Sequence, residues 1–79
     1  MTTIEYKDAE FEYDESAFRK WSFIKRMSKA STDLERNVIA SEYLFSDPDA
    51  VADRFEDDAS EVIGLIAAIM EKAGEPAKN

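Results

Sequence analysis

The chain has 79 residues, of which 18 are acidic and 10 are basic, so its formal charge is −8. A chain of this length forms one small domain and buries only about 60% of the surface that its unfolded form exposes, which disfavours an enclosed catalytic pocket. The absence of cysteine and histidine excludes disulfides, thiol nucleophiles, metal sites built from those side chains and imidazole acid–base chemistry. The negative charge disfavours nucleic acid as a partner. We therefore expect a binding protein with no enzymatic activity and no cofactor.

The first thirteen residues alternate between apolar and charged side chains. Ile4 and Tyr6 share one face, and Phe11 and Tyr13 continue the same alternation after a short interruption. This period of two predicts a β-hairpin over residues 3–13, with Asp8 and Ala9 as its loop. A two-stranded ribbon alone is marginally stable in water, so we expect the hairpin to pack on helices.

A helix is predicted over about 15–30, because Asp14 is placed to cap it and no glycine or proline interrupts it. One face of this helix carries an apolar stripe, which we expect to lie in the core with Trp21 at its centre. The stripe consists of Ala17, Trp21, Ile24 and Met27.

Further helices are predicted over about 34–45, 49–56 and 58–73, separated by a break at Pro48 and an acidic cap at Asp58. Residues 1–74 should therefore form a single small domain of the α+β class, mostly α. In this fold the N-terminal β-hairpin packs on a small bundle of three to four helices. Residues 75–79 are expected to be a disordered tail.

The last helix has the most regular apolar stripe in the chain. Its members are Ala59, Val62, Ile66, Ile69, Met70 and Ala73. A stripe of this length exceeds what so small a body can cover, so we expect reversible self-association through Val62, Ile66 and Ile69. The longest apolar run in this helix is far shorter than the roughly 20 residues that a membrane span needs, so no membrane is expected as a partner.

Charge is distributed unevenly along the chain. Residues 16–30 carry five bases and no acid, whereas residues 1–15 have a net charge of −5 and residues 31–79 one of −8. On a helix the bases form one face bordered by aromatic rings, which predicts a partner-binding surface. Its residues are Phe18, Arg19, Phe23, Lys25, Arg26 and Lys29. The alternative is a solvated face whose bases pair with acids of the hairpin or of the loop near Asp57.

The acidic segment that begins at Asp47 has the density of a calcium loop but not its pattern. Val51 stands at the fifth ligand position, and Ala52 stands where the loop requires glycine. We therefore interpret these acids as helix caps and solvated side chains, and we expect no metal site.

The order of these features resembles the small tail assembly chaperones of long-tailed bacteriophages and prophages. The resemblance rests on the segment TIEYKDAEFEYDESAFRKWSFIKRMSKAS, the Ser-Asp-Pro-Asp break, the Phe55-Glu56 helix end and the acidic-capped apolar last helix. It covers nearly the whole chain through pattern and order. Ala9 departs from it, because members usually have glycine at this turn.

The resemblance implies a cytoplasmic protein of the bacterial host cell that coats the tape measure protein and recruits tail tube subunits. It implies that the protein stays out of the mature virion. The alternative, from charge alone, is an acidic DNA mimic or inhibitor protein from a mobile element, with carboxylates spaced like phosphates. The basic segment at residues 16–30 argues against that alternative, because the active face of a mimic should be uniformly negative.

Overall fold

A computed structural model describes residues 1–74; the tail predicted at residues 75–79 lies outside the described residues. The elements are β1 (Thr2–Tyr6), β2 (Ala9–Tyr13), a 3₁₀ helix (Glu15–Arg19), α1 (Trp21–Lys29), α2 (Asp33–Leu44), α3 (Pro48–Asp53) and α4 (Ala59–Gly74). The hairpin packs on the helices. The predicted α+β class, mostly α, is confirmed.

The hairpin turn lies at Lys7 and Asp8, one residue earlier than predicted. Both residues have positive φ, 51° and 65°, as the tightest hairpin turns require. The predicted loop would have imposed a positive φ on Ala9, whereas aspartate tolerates this region better. A shift of the turn by one residue changes the register of the two strands by two residues. Because side chains alternate between faces with a period of two, the same side chains still face inward, and Ile4 pairs with Phe11.

The single helix predicted over residues 15–30 is wrong, because the chain forms two elements joined at Lys20. Asp14 caps the first element: its Oδ1 accepts hydrogen bonds from the backbone N and the Oγ of Ser16, at 3.0 and 2.6 Å. Lys20 is extended, with ψ of 128°, so the helical phase of residues 15–19 does not continue into α1.

The break at Lys20 changes which side chains enter the core. Ala17 is fully buried as predicted, but Trp21 is 70% exposed and Ile24 is 45% exposed. Phe23 takes the inward position instead and contacts the Tyr43 ring of α2, with 5.2 Å between ring centroids. The prediction of Trp21 as the centre of the core is therefore wrong.

The core lies between the hairpin, α2 and α4. Its most deeply buried large side chains are Tyr13, Leu44, Leu65, Ile66 and Ile69. The hairpin is tied to α2 by a hydrogen bond from the Asp14 backbone N to the Leu44 carbonyl, at 2.8 Å. The middle of the α4 stripe, at Ile66 and Ile69, is thus buried within a single copy.

This burial bears on the predicted self-association through the last helix. Ile66 and Ile69 are 1% and 0% exposed, and Val62 is half-buried, so a single copy exposes little of these three side chains, and self-association through them stays a prediction.

The remaining helices begin at polar caps. Thr32 Oγ1 accepts a hydrogen bond from the Glu35 backbone N, and Asp47 Oδ1 accepts one from the Ala50 backbone N. Asp58 caps α4 through the Ser60 backbone N at 3.0 Å. The predicted capping role of the acids is confirmed for Asp47 and Asp58.

Candidate partner-binding surface

The outer face of α1 carries exposed apolar side chains beside exposed bases. Trp21 and Ile24 lie three residues apart and Lys25 follows Trp21 by four, so the three side chains are neighbours on the helix. Large apolar side chains this exposed are unusual when they lie together, and such patches mark interaction sites. We call this face the α1 surface; it consists of Arg19, Trp21, Ile24, Lys25 and Lys29.

A groove adjoins the α1 surface, between the 3₁₀ helix, α1 and the C-terminal half of α4. It has a volume of about 550 Å³. Its apolar lining includes Phe18, Ile24, Met27, Met70 and Ala73. Ile24 belongs to both the groove and the exposed face, so the two form one continuous apolar area.

The two aromatic residues predicted to border the basic face, Phe18 and Phe23, both line the groove beside Arg19. Phe23 is only 5% exposed and belongs to the core, and Phe18 is half-buried. Their rings contact each other edge to face, with 6.0 Å between centroids. Both rings line the groove, where Phe23 is almost completely buried, and their role as contact residues stays a prediction.

Arg26 points towards α2 and away from the α1 surface. Its Nη2 lies 3.2 Å from Oε1 of Glu42, and its guanidinium lies 5.7 Å from the centroid of the Tyr43 ring. The Tyr43 side chain, and then the charge of Glu42, raise the pKa of Arg26, and the Ser22 side chain together with Arg26 lowers the pKa of Tyr43. Arg26 thus joins α1 to α2.

The predicted pairing of the basic segment with hairpin acids or with the loop near Asp57 is not what forms. Within residues 1–74, its ion pairs are Arg26 with Glu42 and Lys20 with Asp14, the latter at 3.7 Å. No carboxylate in that part of the chain lies within ion-pair distance of Arg19, Lys25 or Lys29. These three exposed bases are therefore available to a partner.

Sequence reasoning missed Trp21 and Ile24 as surface residues because it assigned them to the core. The sequence did contain a signal for the break. In a continuous helix Phe18 and Phe23 would lie on the flanks of the apolar stripe, where both would compete with Trp21 for burial. Only a break in the helix lets Phe23 turn inward.

A second groove lies on another side of the molecule, between α2, α3 and α4, with a volume of about 360 Å³. Its rim carries the exposed apolar side chains of Leu34 and Val38, which are 62% and 51% exposed. Asp49 and Asp57 also line it, and no lysine or arginine of residues 1–74 does. We call it the acidic groove.

Two other kinds of site are not found in residues 1–74. No cluster of three or more acidic side chains there could hold a metal ion. Among the helices of this part of the chain, none is long and apolar enough to cross a membrane.

Comparisons with known proteins add no relative. A scan against protein-family models and searches of the curated proteins and of the solved structures returned no match. The α1 surface and the acidic groove are therefore interpreted from their own chemistry.

Proposed function

We propose that this chain is a non-enzymatic tail assembly chaperone of a long-tailed phage or prophage. In this proposal it binds the tape measure protein through the α1 surface and recruits tail tube subunits, in the cytoplasm of the bacterial host and without entering the mature virion. The observation that carries the proposal is the exposure of Trp21 and Ile24 beside three bases without a carboxylate partner in residues 1–74.

The composition of the α1 surface favours a protein as its partner. Tryptophan and arginine are the residue types most enriched among those that dominate binding energy at protein interfaces. Burial of the apolar part of Trp21 and Ile24 would supply the free energy, at about 25 cal/mol per Å² before the costs of association. The flanking Arg19, Lys25 and Lys29 would select the partner by charge and accelerate the encounter.

These features define the chemistry of the segment bound. An amphipathic helix with apolar side chains three or four residues apart would fit the continuous apolar area formed by Ile24 and the adjoining groove. Acidic side chains on the flanks of that helix would face Lys25 and Lys29. A long helical tape measure protein offers many such segments, and this supports it over a folded globular partner.

The basic α1 surface also supports the chaperone over an acidic DNA mimic. A mimic needs a continuous negative face to replace phosphates, and the bases of α1 interrupt one. The acids of this chain include two that cap helices, Asp47 and Asp58, which are explained without a nucleic-acid enzyme as a target.

Co-expression with the tape measure protein of the same phage or prophage tests the proposal. Wild type should co-purify with it, and Trp21→Ala should reduce the recovery by about tenfold or more, since a central interface tryptophan contributes about 2 kcal/mol or more. Arg19→Glu with Lys25→Glu should have a comparable effect. A matched control, Lys7→Glu with Arg36→Glu, makes the same change in net charge on other surfaces and should bind normally.

Two results would contradict the proposal. One is the absence of any complex between wild type and the tape measure protein. The other is equal recovery with wild type, with Trp21→Ala and with the double reversal, when circular dichroism shows that all three proteins are folded.

A further inference from the structure

Two surfaces of this chain are complementary to each other. The α1 surface presents Trp21 and Ile24 beside bases, and the acidic groove presents Leu34 and Val38 beside Asp49. Each therefore combines exposed apolar side chains with charged ones, and the charges of the two surfaces are of opposite sign. Because the two sets share no residue, one copy can offer both surfaces at once.

We propose that the acidic groove of one copy binds the α1 surface of a second copy, head to tail. Trp21 and Ile24 of one copy would pack against Leu34 and Val38 of the other. Burial of these exposed side chains supplies the attraction.

Charge fixes the orientation of this contact. Lys25 lies one turn from Trp21 and would approach the acids that line the groove, Asp49 and Asp57. Two α1 surfaces facing each other would bring bases together, and two acidic grooves would bring acids together. Like-charge contacts of this kind are unfavourable, so a symmetric dimer through either surface is disfavoured relative to the head-to-tail arrangement.

A head-to-tail contact leaves one α1 surface and one acidic groove free at the two ends of every open assembly. It therefore extends to rings or open chains rather than stopping at a dimer. A contact of ordinary size, roughly 800 Å² on each partner, would cover about 15% of the 5329 Å² surface of the described chain. The formal charge of −8 on every copy opposes the approach at long range, so the association is weak and depends on concentration.

The inference does not depend on the proposed function, because its test uses this chain alone. Where both hold, a tape measure segment and a second copy compete for the same α1 surface. The free protein would then cover Trp21 by self-association until a partner helix replaces the second copy.

A charge-exchange experiment tests the contact. One variant, Asp49→Lys with Asp57→Asn, changes the groove; asparagine is used at position 57 because this residue has φ of 63°, a region that asparagine tolerates. A second variant, Lys25→Glu with Arg19→Gln, changes the α1 surface by the same amount of charge with opposite sign. The mean mass of each is measured by analytical ultracentrifugation from micromolar to millimolar concentration.

Wild type should increase in mean mass with concentration. Each variant alone should need about a tenfold higher concentration for the same mean mass, because like charges then face each other across the contact; a tenfold change corresponds to about 1.4 kcal/mol. An equimolar mixture of the two variants should recover association, because each altered surface then meets its complement. The control Lys7→Glu with Arg36→Gln, of the same charge change as the α1 variant, should associate as wild type does.

Three outcomes would overturn the inference. They are a wild type that stays monomeric up to millimolar concentration, variants that associate as strongly alone as wild type does, and a mixture that associates no more than its components. Circular dichroism of each variant confirms that the fold is retained before these results are compared.

Discussion

α1 and α4 both carry apolar stripes at helical spacing, yet the fold uses them differently. Leu65 and Ile69 of α4 are fully buried, whereas Trp21 and Ile24 of α1 are exposed. The difference shows that an apolar stripe predicts an amphipathic helix but does not determine which helix supplies the core. In a chain of this size there is not enough interior for both stripes.

The length and position of the two helices explain which one is buried. α4 has 16 residues and contacts β1, α2 and α3. α1 has nine residues and follows the extended Lys20, which directs Phe23 rather than Trp21 inward. The stripe of α4 therefore stabilises the fold, whereas Trp21 and Ile24 of α1 stay exposed to solvent.

The largest effect is expected from the α4 side of this comparison. Leu65→Ala should lower the free energy of unfolding by about 2–5 kcal/mol, because it removes a fully buried side chain and leaves a cavity. The total free energy of unfolding for a chain of this length is roughly 4–12 kcal/mol, so this one substitution removes a large part of it. Urea denaturation followed by circular dichroism measures the loss; a change below about 1 kcal/mol would show that α4 is not the centre of the core.

A smaller effect is expected at the contact between α4 and the hairpin, where Gly64 meets Tyr6. A methyl group at Gly64 would overlap the Tyr6 hydroxyl, so Gly64→Ala should not give the gain of up to about 1 kcal/mol that alanine normally gives within a helix. In a Tyr6→Phe background the same change should be more favourable by about 0.5 kcal/mol or more. A double-mutant cycle from urea denaturation measures this coupling, and additive effects would contradict the contact.

Acid should weaken the helix caps. Hydrogen bonds from Ser16 lower the pKa of Asp14, those from Ser60 lower that of Asp58, and those from Ser31 lower that of Glu35. These folded-state values lie below the ordinary 3.8 and 4.5, so the stabilisation is complete above those values and is lost as pH falls through the folded ones.

Thermal melts from pH 7 to pH 2 measure this effect. Asp58→Asn keeps a capping side chain without a titrating group, so the melting temperature of this variant should fall less steeply below pH 4 than that of wild type. Identical acid profiles for the two proteins would show that the Asp58 carboxylate has no stabilising interaction in the folded state.

The smallest effect is expected at the α1 surface. Trp21→Ala should cost about 1 kcal/mol or less, against about 3–5 kcal/mol for a buried tryptophan. Urea denaturation beside Leu65→Ala gives the direct contrast. A loss as large as that of Leu65→Ala would return Trp21 to the core and remove the basis of the proposed binding surface.

Local sequence signals predicted the parts of the fold that depend on neighbours in the chain. Asp14 and Asp58 were identified as caps, Pro48 as a helix boundary, and the alternation around Ile4 and Phe11 as one inward face. Each of these features depends on residues within a few positions along the chain, where backbone propensity and local hydrogen bonds determine the structure.

The break at Lys20 could not be predicted in that way. No glycine or proline is present there. The broken helix is stabilised by the contact between Phe23 and Tyr43 of α2, which exists only in the folded chain. The pair of Arg26 with Glu42 depends on the same helix packing. The exposure of Arg19 and Lys25 was predictable from charge, but that of Trp21 was not, because it depends on the break.

The fluorescence of Trp21 tests most directly whether α1 presents its apolar stripe to solvent. It is the only tryptophan in the chain, so the emission reports on this side chain alone. At low micromolar concentration, where self-association is minimal, native protein should emit close to the wavelength of protein unfolded in urea, and acrylamide should quench the two forms to a similar extent. A native emission shifted well to the blue and protected from acrylamide at that concentration would place Trp21 in the core and contradict the account.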